Sequence, residues 1–277
     1  MPTHSTQHHR PFLKWAGGKG RLLPSLLPLL PFGRRRLIEP FVGAGSVFLA
    51  TNYQAYVLND ASPELVAVWV SLRERPRQFV RDASRLFCEE NHSRGRYLEL
   101  REEFNTTPDM YRRAVLLPYL NRHCFNGLHR VSRSGRFNTP YGKPASLPLF
   151  PFDAAAGAAE HLKRATILSG DFAAAIEMAG DGDVVYCDPP YLSSAAGASF
   201  QAYTAKGFDL DDHRRLVAAA QASARRGATV LISNHDTQET RELYRGFELH
   251  SLQVGRRISA HSERRGVCEE LVAILRG

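Results

Sequence analysis

Val184-Val185-Tyr186-Cys187-Asp188-Pro189-Pro190-Tyr191 is the stretch on which the reading of this 277-residue chain turns. Its unbroken apolar start predicts a strand covered on both faces, because a half-exposed strand would alternate apolar with polar residues. A carboxylate, two prolines and an aromatic ring follow at its C-terminal end, the edge at which open α/β sheets bind ligands. Pro189 and Pro190 have no amide hydrogens and restrict the turn, so neighbouring carbonyls stay free to accept hydrogen bonds. Asp188 and such a carbonyl together suit an exocyclic NH2 group, and Tyr191 offers a face to a planar base. A simple turn leaving a strand would be the plainer account of Asp188-Pro189 alone. The full Asp-Pro-Pro-Tyr, with a glycine turn upstream, outweighs it.

Six further β-rich runs are expected to pair with this one: Arg36 to Pro40, Tyr56 to Asn59, Thr166 to Ser169, Thr229 to Ser233, Glu248 to Val254 and Glu270 to Leu275. Helical patterns separate some of them. Asp209 caps a helix running to Arg226 and stopped by Gly227, and Asp236 with Glu239 makes a capping-box pattern ahead of Leu243 and Tyr244. Alternating strands and helices predict a doubly wound, Rossmann-like α/β fold with a mostly parallel seven-stranded sheet. The last two strands have only the polar stretch near Ser259 to Arg265 between them, so an antiparallel edge hairpin is expected there. Between the second and third strands the character changes. Ser62, Pro63 and Glu64 supply a cap, an N1 proline and a first-turn acid. Helices are predicted over Pro76 to Glu90, Arg94 to Asn105 and Asp109 to His123, followed by a Gly- and Pro-containing loop from Asn126 to Pro151. Residues 1–60 and 165–277 are therefore expected to form the sheet domain, and residues 61–164 an inserted helical domain with a basic loop.

The first strand runs into Glu39-Pro40-Phe41-Val42-Gly43-Ala44-Gly45-Ser46, where glycines at a strand-to-helix turn let a ligand approach the backbone. One Gly-x-Gly is weak by itself. Asp60, at the end of the second strand, is placed to accept hydrogen bonds from a ribose and strengthens it. Lys19 is followed by Gly20 and Arg21, not Ser or Thr, which argues against a phosphate loop and favours a nucleoside ligand without a triphosphate.

Composition narrows the class. At 43% hydrophobic the chain has material for a real core, which rules out disorder as its main state. The longest apolar candidate, Leu22 to Phe32, is cut by Pro24, Pro28 and Pro31, so no membrane span is expected. With no apolar signal core near the N-terminus, a cytoplasmic protein is expected, with residues 1 to about 9 as a flexible tail. Cys88, Cys124, Cys187 and Cys268 form no Cys-x-x-Cys pair, so reduced thiols are expected and neither a disulfide framework nor a metal site. Residues 1–38 and 110–152 each carry seven bases and no acid, outweighing the whole chain's +8, so the remainder is net acidic. Basic stretches interleaved with Tyr111, Tyr119, Phe125, Phe137 and Tyr141 suit a polyphosphate backbone and unstacked bases. Core aromatics beneath a solvated basic surface are the plainer alternative.

Taken in order, Phe12-Leu13-Lys14-Trp15-Ala16-Gly17-Gly18-Lys19, Phe41-Val42-Gly43-Ala44-Gly45, Asn59-Asp60 and Asp188-Pro189-Pro190-Tyr191 resemble the Dam-type DNA adenine N6-methyltransferases. Tyr119-Leu120-Asn121-Arg122, Phe125-Asn126-Gly127-Leu128, Phe137-Asn138 and Leu231-Ile232-Ser233-Asn234-His235-Asp236 extend the resemblance over roughly residues 10 to 275. It implies that S-adenosylmethionine is the cofactor, leaving as S-adenosylhomocysteine, with no metal. The matching cofactor positions are Trp15, Lys19, Phe41, Gly43, Gly45, Asp60 and Asp188. It also implies a target adenine flipped out of duplex DNA. Asp188 and the Pro189 carbonyl would accept from N6 and Tyr191 would stack on the base, with Pro190 completing the motif and positioning as the main catalytic device. Cys187 has no catalytic part in this chemistry and is expected in the core.

The resemblance makes the inserted domain a target-recognition element and double-stranded DNA the partner, with no membrane and no obligate protein partner. Arg130 and Lys14 match positions that read guanines, where an Arg fork fits O6 and N7. Leu128 and Pro140 match positions against a thymine methyl, and Asn126 and Asn138 are expected to hydrogen-bond to bases or backbone. Phe125 stands where the family often has a tyrosine beside the vacated base. Together these imply GATC as the site. Arg112, Arg113, Arg133 and Arg136 are expected to be phosphate contacts or plain surface. After Tyr141, Gly142-Lys143-Pro144-Ala145-Ser146 is shorter and less basic than the family pattern. The alternatives weighed are an N-methyltransferase of RNA or a protein amide, and a catalytically dead DNA-binding regulator.

Overall fold

The computed structural model describes residues 9–192, 207–254 and 268–277. Its strands are β1 (Arg36–Glu39), β2 (Ala55–Asp60), β3 (Ala165–Ser169), β4 (Asp183–Cys187), β5 (Thr229–His235), β6 (Glu248–Val254) and β7 (Cys268–Arg276). All join one seven-stranded sheet in the order β3-β2-β1-β4-β5-β7-β6. β1 to β5 run parallel, and β7 lies antiparallel between β5 and β6. Every expected strand is present, β6 with its expected bounds and the others with ends displaced by at most two residues. The chain winds from β1 to β3 on one side and returns to β4 and β5 on the other. The ends of β1 and β4 therefore flank the crevice where an α/β sheet takes its ligand.

Apolar runs without alternation are covered on both faces, as their composition requires. Leu37, Val184 and Tyr186 face one core, while Ile38, Val185 and Cys187 face the other. Each of Val184 and Val185 contributes roughly 1.5–3 kcal/mol by burial. Cys187 is fully buried, as expected.

Short helices α1 (Leu23–Leu26) and α2 (Ser46–Ala50) precede β2, and α3 (Pro63–Glu74) follows it. The Ser62 hydroxyl accepts from Leu65 N at 3.3 Å, capping α3 as its sequence predicts. Leu65, Val68, Trp69 and Leu72, at helical spacing, form its buried stripe. α4 (Pro76–Ser84), α5 (Arg94–Thr106) and α6 (Met110–His123) complete the insert, and α7 (Phe152–Leu162) leads back to β3. The insert shares one continuous apolar cluster with a face of the sheet. α8 (Phe172–Glu177) and α9 (Leu210–Arg225) cover the opposite face, and α10 (Gln238–Leu243) precedes β6. Asp209 and Asp212 form a reciprocal capping box on α9, which is followed by Gly227 at a φ of 91°.

Three expectations need correction. The helix expected over Pro76 to Glu90 ends at Ser84, and a separate turn of 3-10 helix spans Glu89–Asn91. The cap of α10 is Thr237 with Thr240, not Asp236 with Glu239. Asp236 is instead held by Arg241, at 2.6 and 2.8 Å, and by the Ser251 hydroxyl. Tyr119 and Phe137 are buried core aromatics, not faces offered to bases. The polar stretch Ser259 to Arg265 lies outside the described residues, as does the expected tail apart from His9. Among the described residues, no helix is long and apolar enough to cross a membrane.

Candidate active site

A cleft of about 590 Å³ opens at the C-terminal ends of β1 and β4. Trp15, Lys19, Phe41, Gly43, Asp60, Asp188, Pro189, Pro190 and Tyr191 all line it, although they come from four separate parts of the chain. Gly45 does not reach it. That residue is the N-cap of α2 at a φ of 71°, and a Cβ there would lie 3.3 Å from the Trp69 ring, so its glycine serves the turn itself. Gly43 has a φ of 50°, and a Cβ would stand 3.0 Å from Trp15 Cδ1, so only glycine lets the indole lie against this backbone.

Lys19 is the hub. Its Nζ lies 2.8 Å from Asp188 Oδ1, 3.9 Å from Glu270 Oε2 and 4.5 Å from the centre of the Tyr191 ring. It also donates to the Gly17 carbonyl at 3.2 Å. The Tyr191 hydroxyl donates to Glu270 Oε2 at 2.8 Å, and its ring meets His235 edge-on at 4.7 Å. Antiparallel pairing sets His235 opposite Glu270, so β5 and β7 deliver both to one wall. Asn234 Oδ1 accepts from Leu192 N at 3.2 Å and so fixes the chain just past Tyr191. Burial raises the Asp188 carboxyl above its ordinary range even though Lys19 pulls the other way.

Across the crevice, Asp60 accepts from Gly43 N and Ser62 N, both at 3.0 Å, and ties the glycine turn to the start of α3. Burial raises its pKa against these hydrogen bonds. Glu39 is 2% exposed, its Oε1 has no hydrogen-bond partner among the described residues, and burial with Asp188 nearby holds its carboxyl well above the usual range. An unsatisfied buried carboxyl oxygen lining a cleft is an acceptor awaiting a ligand donor. Phe41 stacks on Phe172 at 5.4 Å and meets Phe208 edge-on at 5.7 Å, making an aromatic wall. Arg215 lies 5.0 Å over Phe172 and donates to Asp171 at 2.9 Å.

The sequence does not single out Asp171, Phe172, Phe208, Arg215, His235 or Glu270 as site residues, yet all six line the cleft. Asp171 just beyond β3 repeats the signal that picked out Asp60 just before a helix at a strand end. Glu39 lies inside the glycine-turn motif at the end of β1, where a strand residue accounts for it equally well. Glu270 and Arg215 carry no local signal and enter the site through tertiary placement alone.

The second set of expected residues gathers on a surface beside this cleft. Bridges Cys124 to Tyr141 and Val131 to Phe137 close the loop after α6 into a hairpin-like fold. Asn105 on α5 holds Phe137 through both its N–H and its carbonyl, at 2.8 and 3.0 Å. Lys14, Phe125, Asn126, Leu128 and Pro140 are exposed on it. Arg130 and Asn138 are half-buried and bonded to each other, with Arg130 Nε donating to Asn138 Oδ1 at 2.7 Å. Asn121 binds both the N–H and the carbonyl of Lys14, at 2.8 and 2.7 Å, and so locks that lysine against the loop.

The acid-free stretches of sequence are not acid-free in space. Arg112 pairs with Glu103 at 2.6 Å, Arg113 with Glu64 at 3.1 Å and Arg136 with Glu102 at 2.6 Å. Arg36 pairs with Asp183 at 2.6 Å, at the end of the sheet opposite the cleft. Lys14, Arg130, Arg133 and Lys143 make no ion pair among the described residues, and all but Arg130 are exposed.

An open α/β sheet with one antiparallel strand threaded between β5 and β6, and a ligand cleft at its switch point, defines a Rossmann-like methyltransferase. The family model for D12 class N6 adenine-specific DNA methyltransferases matches residues 15–258, and the chain belongs to that family. Its similarity to curated proteins runs nearly end to end. It is 44% identical over 269 residues to a DNA adenine methylase of Serratia marcescens, covering 97% of this chain and 99% of that protein. It is 42% identical over 266 residues to the DNA adenine methylase of Escherichia coli strain K12, and 41% identical over 266 residues to one from Vibrio cholerae. Each of these two alignments covers 96% of this chain and 95% of the relative.

Proposed function

We propose that this enzyme transfers a methyl group from S-adenosylmethionine to N6 of an adenine flipped out of duplex DNA at GATC. The observation that carries the reading is the convergence of Asp188, Pro189 and Tyr191 with the Gly43 turn across one crevice. The cleft suits the cofactor. The orphaned Glu39 oxygen and the Asp60 carboxylate are acceptors for its amino and ribose hydroxyl groups, the Phe41, Phe172 and Phe208 rings suit its adenine, and Gly43 lets the Trp15 indole pack against the turn as part of the cleft wall. When bound, S-adenosylmethionine supplies an electrophilic methyl group.

The protein's own part is placement. Asp188 and the Pro189 carbonyl accept from the two N6 hydrogens, which orients the nitrogen lone pair, and Tyr191 supports the base from below. Lys19, 2.8 Å away, pulls the Asp188 pKa down against the burial that raises it. Once N6 has gained the methyl group it must lose a proton, and Asp188 is the base within reach.

Residues 61–164 form the target-recognition element in this reading. Asn138 holds Arg130 twice, Nε on its Oδ1 at 2.7 Å and one Nη on its carbonyl at 3.3 Å, so the guanidinium is aimed by a neighbour and its remaining N–H groups can meet guanine O6 and N7. Lys14, Leu128, Asn126, Asn138 and Pro140 are the remaining base-facing residues, and Phe125, 51% exposed, fills the space the adenine leaves. The test is incubation of the purified chain with S-adenosylmethionine and duplexes carrying one GATC or a scrambled site, followed by mapping of N6-methyladenine. Methylation confined to GATC is expected. Transfer only to RNA or protein, or DNA binding with no transfer at saturating cofactor, would overturn the reading.

A further inference from the structure

Between Leu128 and Arg130, two side chains assigned to the DNA-facing surface, His129 turns the other way. It is 6% exposed, and neither ring nitrogen has a hydrogen-bond partner among the described residues. What the fold uses is therefore the flat face of the ring. That face stacks on the Trp15 indole, with centroids 4.8 Å apart and planes 25° from parallel, while Phe137 packs on it at 5.4 Å from within the loop. The indole edge in turn lies against Gly43, whose carbonyl accepts from Trp69 Nε1 at 3.1 Å. A continuous packed path thus runs from the reading loop through His129 and Trp15 to the glycine turn of the cleft. The residue before Trp15 is clamped to the same loop, because the Asn121 amide that binds both backbone groups of Lys14 also donates to the Gly127 carbonyl at 3.1 Å.

We propose that His129 is a positioning residue that joins the DNA-reading loop to the cofactor wall through its stack on Trp15, so that each ligand tightens the binding of the other. The inference rests on the functional reading above. DNA that fixes Leu128 and Arg130 also fixes the ring between them, and a fixed ring holds Trp15 in the position that frames the Gly43 turn. Coupling of this kind is reciprocal.

Calorimetric titration with S-adenosylhomocysteine, with and without an unmethylated GATC duplex, measures the coupling as a ratio of affinities. For the wild type the duplex is expected to raise affinity about fivefold or more. His129→Phe, which keeps a flat ring, should retain that ratio. His129→Ala should bring it to within about twofold of unity while unfolding stays cooperative. Should the alanine collapse the loop, His129→Leu fills the volume without a flat face and carries the same expectation. A wild-type ratio near one, or an undiminished ratio in the folded Ala or Leu variant, overturns the proposal. Failure of the wild type to bind S-adenosylhomocysteine at all would instead refute the reading of the cleft, and the coupling with it.

Discussion

Asp188→Ala separates the catalytic role of this carboxylate from its structural one, because the two have different sizes. Removing one partner of a buried ion pair typically costs about 3–5 kcal/mol, since the other charge is left uncompensated. Here Lys19, whose side chain is 6% exposed, would keep Glu270 at 3.9 Å and the Gly17 carbonyl at 3.2 Å. Asp188 is itself 20% exposed, and its own burial cost disappears with the carboxyl. The expected loss is therefore smaller, about 1–3 kcal/mol, or roughly 3–10 °C in Tm for a chain of this size. Transfer should fall much further, by about 10³-fold or more in kcat, because both an N6 acceptor and the final proton acceptor are lost. Asp188→Asn keeps one acceptor oxygen but not the charge, and should fall between the two. The assay is single-turnover methylation of a GATC duplex at saturating cofactor, with melting and duplex affinity measured on the same samples. A folded Asp188→Ala enzyme that binds DNA and keeps a tenth of the wild-type single-turnover rate would refute the assignment.

Arg130→Ala should relax discrimination at a single guanine by about 1–3 kcal/mol, read as relative methylation rates on single-substituted duplexes, whereas a uniform loss on every duplex would make it a phosphate contact. Arg133→Ala should lower the slope of log affinity against log salt by about one, while Arg112→Ala, already paired with Glu103, should leave that slope nearly unchanged. Glu39 binds its proton more tightly when folded than when unfolded, so wild-type stability should fall as pH rises above about 4.5. Glu39→Gln, which mimics the protonated acid, should remove that fall in denaturant titrations between pH 5 and 8. His213 titrates in the opposite sense. Burial lowers its pKa to about 4, so the unfolded chain takes up a proton below about 6.5 that the fold refuses. Between pH 7.5 and 5.5 the stability of the wild type relative to His213→Phe should drop by about 1.3 kcal/mol.

The parts of the fold legible in the sequence are those where one local rule decides. Strands buried on both faces leave unbroken apolar runs, and α3 and α9 announce themselves by caps. Where two rules compete the reading slips. After Ser84, Leu86 and Phe87 continue an apolar pattern without a glycine or proline to stop it, yet the helix has ended and both side chains pack into the core from a turn. At α10 two capping residues stand side by side, and Arg241 takes Asp236 out of contention. α7 hides because its buried residues include Ala155, Gly157 and Ala158, which carry too little hydrophobicity to mark a face. The site divides in the same way. Asp188, Asp60 and Gly43 lie at strand ends, where topology predicts function, whereas Glu270 and Arg215 lie within a strand and a helix and reach the cleft through pairing and packing.

Charge shows what one-dimensional reading cannot supply. The acid-free run of residues 110–152 gives seven bases when counted along the chain. Three of them are neutralised by Glu64, Glu102 and Glu103, which belong to α3 and α5, and Arg122 is turned inward to the Phe12 carbonyl at 2.8 Å. These contacts hold the insert together and anchor the segment that leads to Trp15. Arg130, Arg133 and Lys143 remain on the loop, joined by Lys14 from the other end of the sequence. A cation engaged by a carboxylate has little left to offer a phosphate, whereas an unpaired one on the surface exchanges small counterions for DNA. The basic composition that first pointed to an acidic partner thus serves two ends. Part of it braces the loop after α6 from behind, and the smaller unpaired part leaves Lys14, Arg133 and Lys143 exposed on the same surface as Phe125.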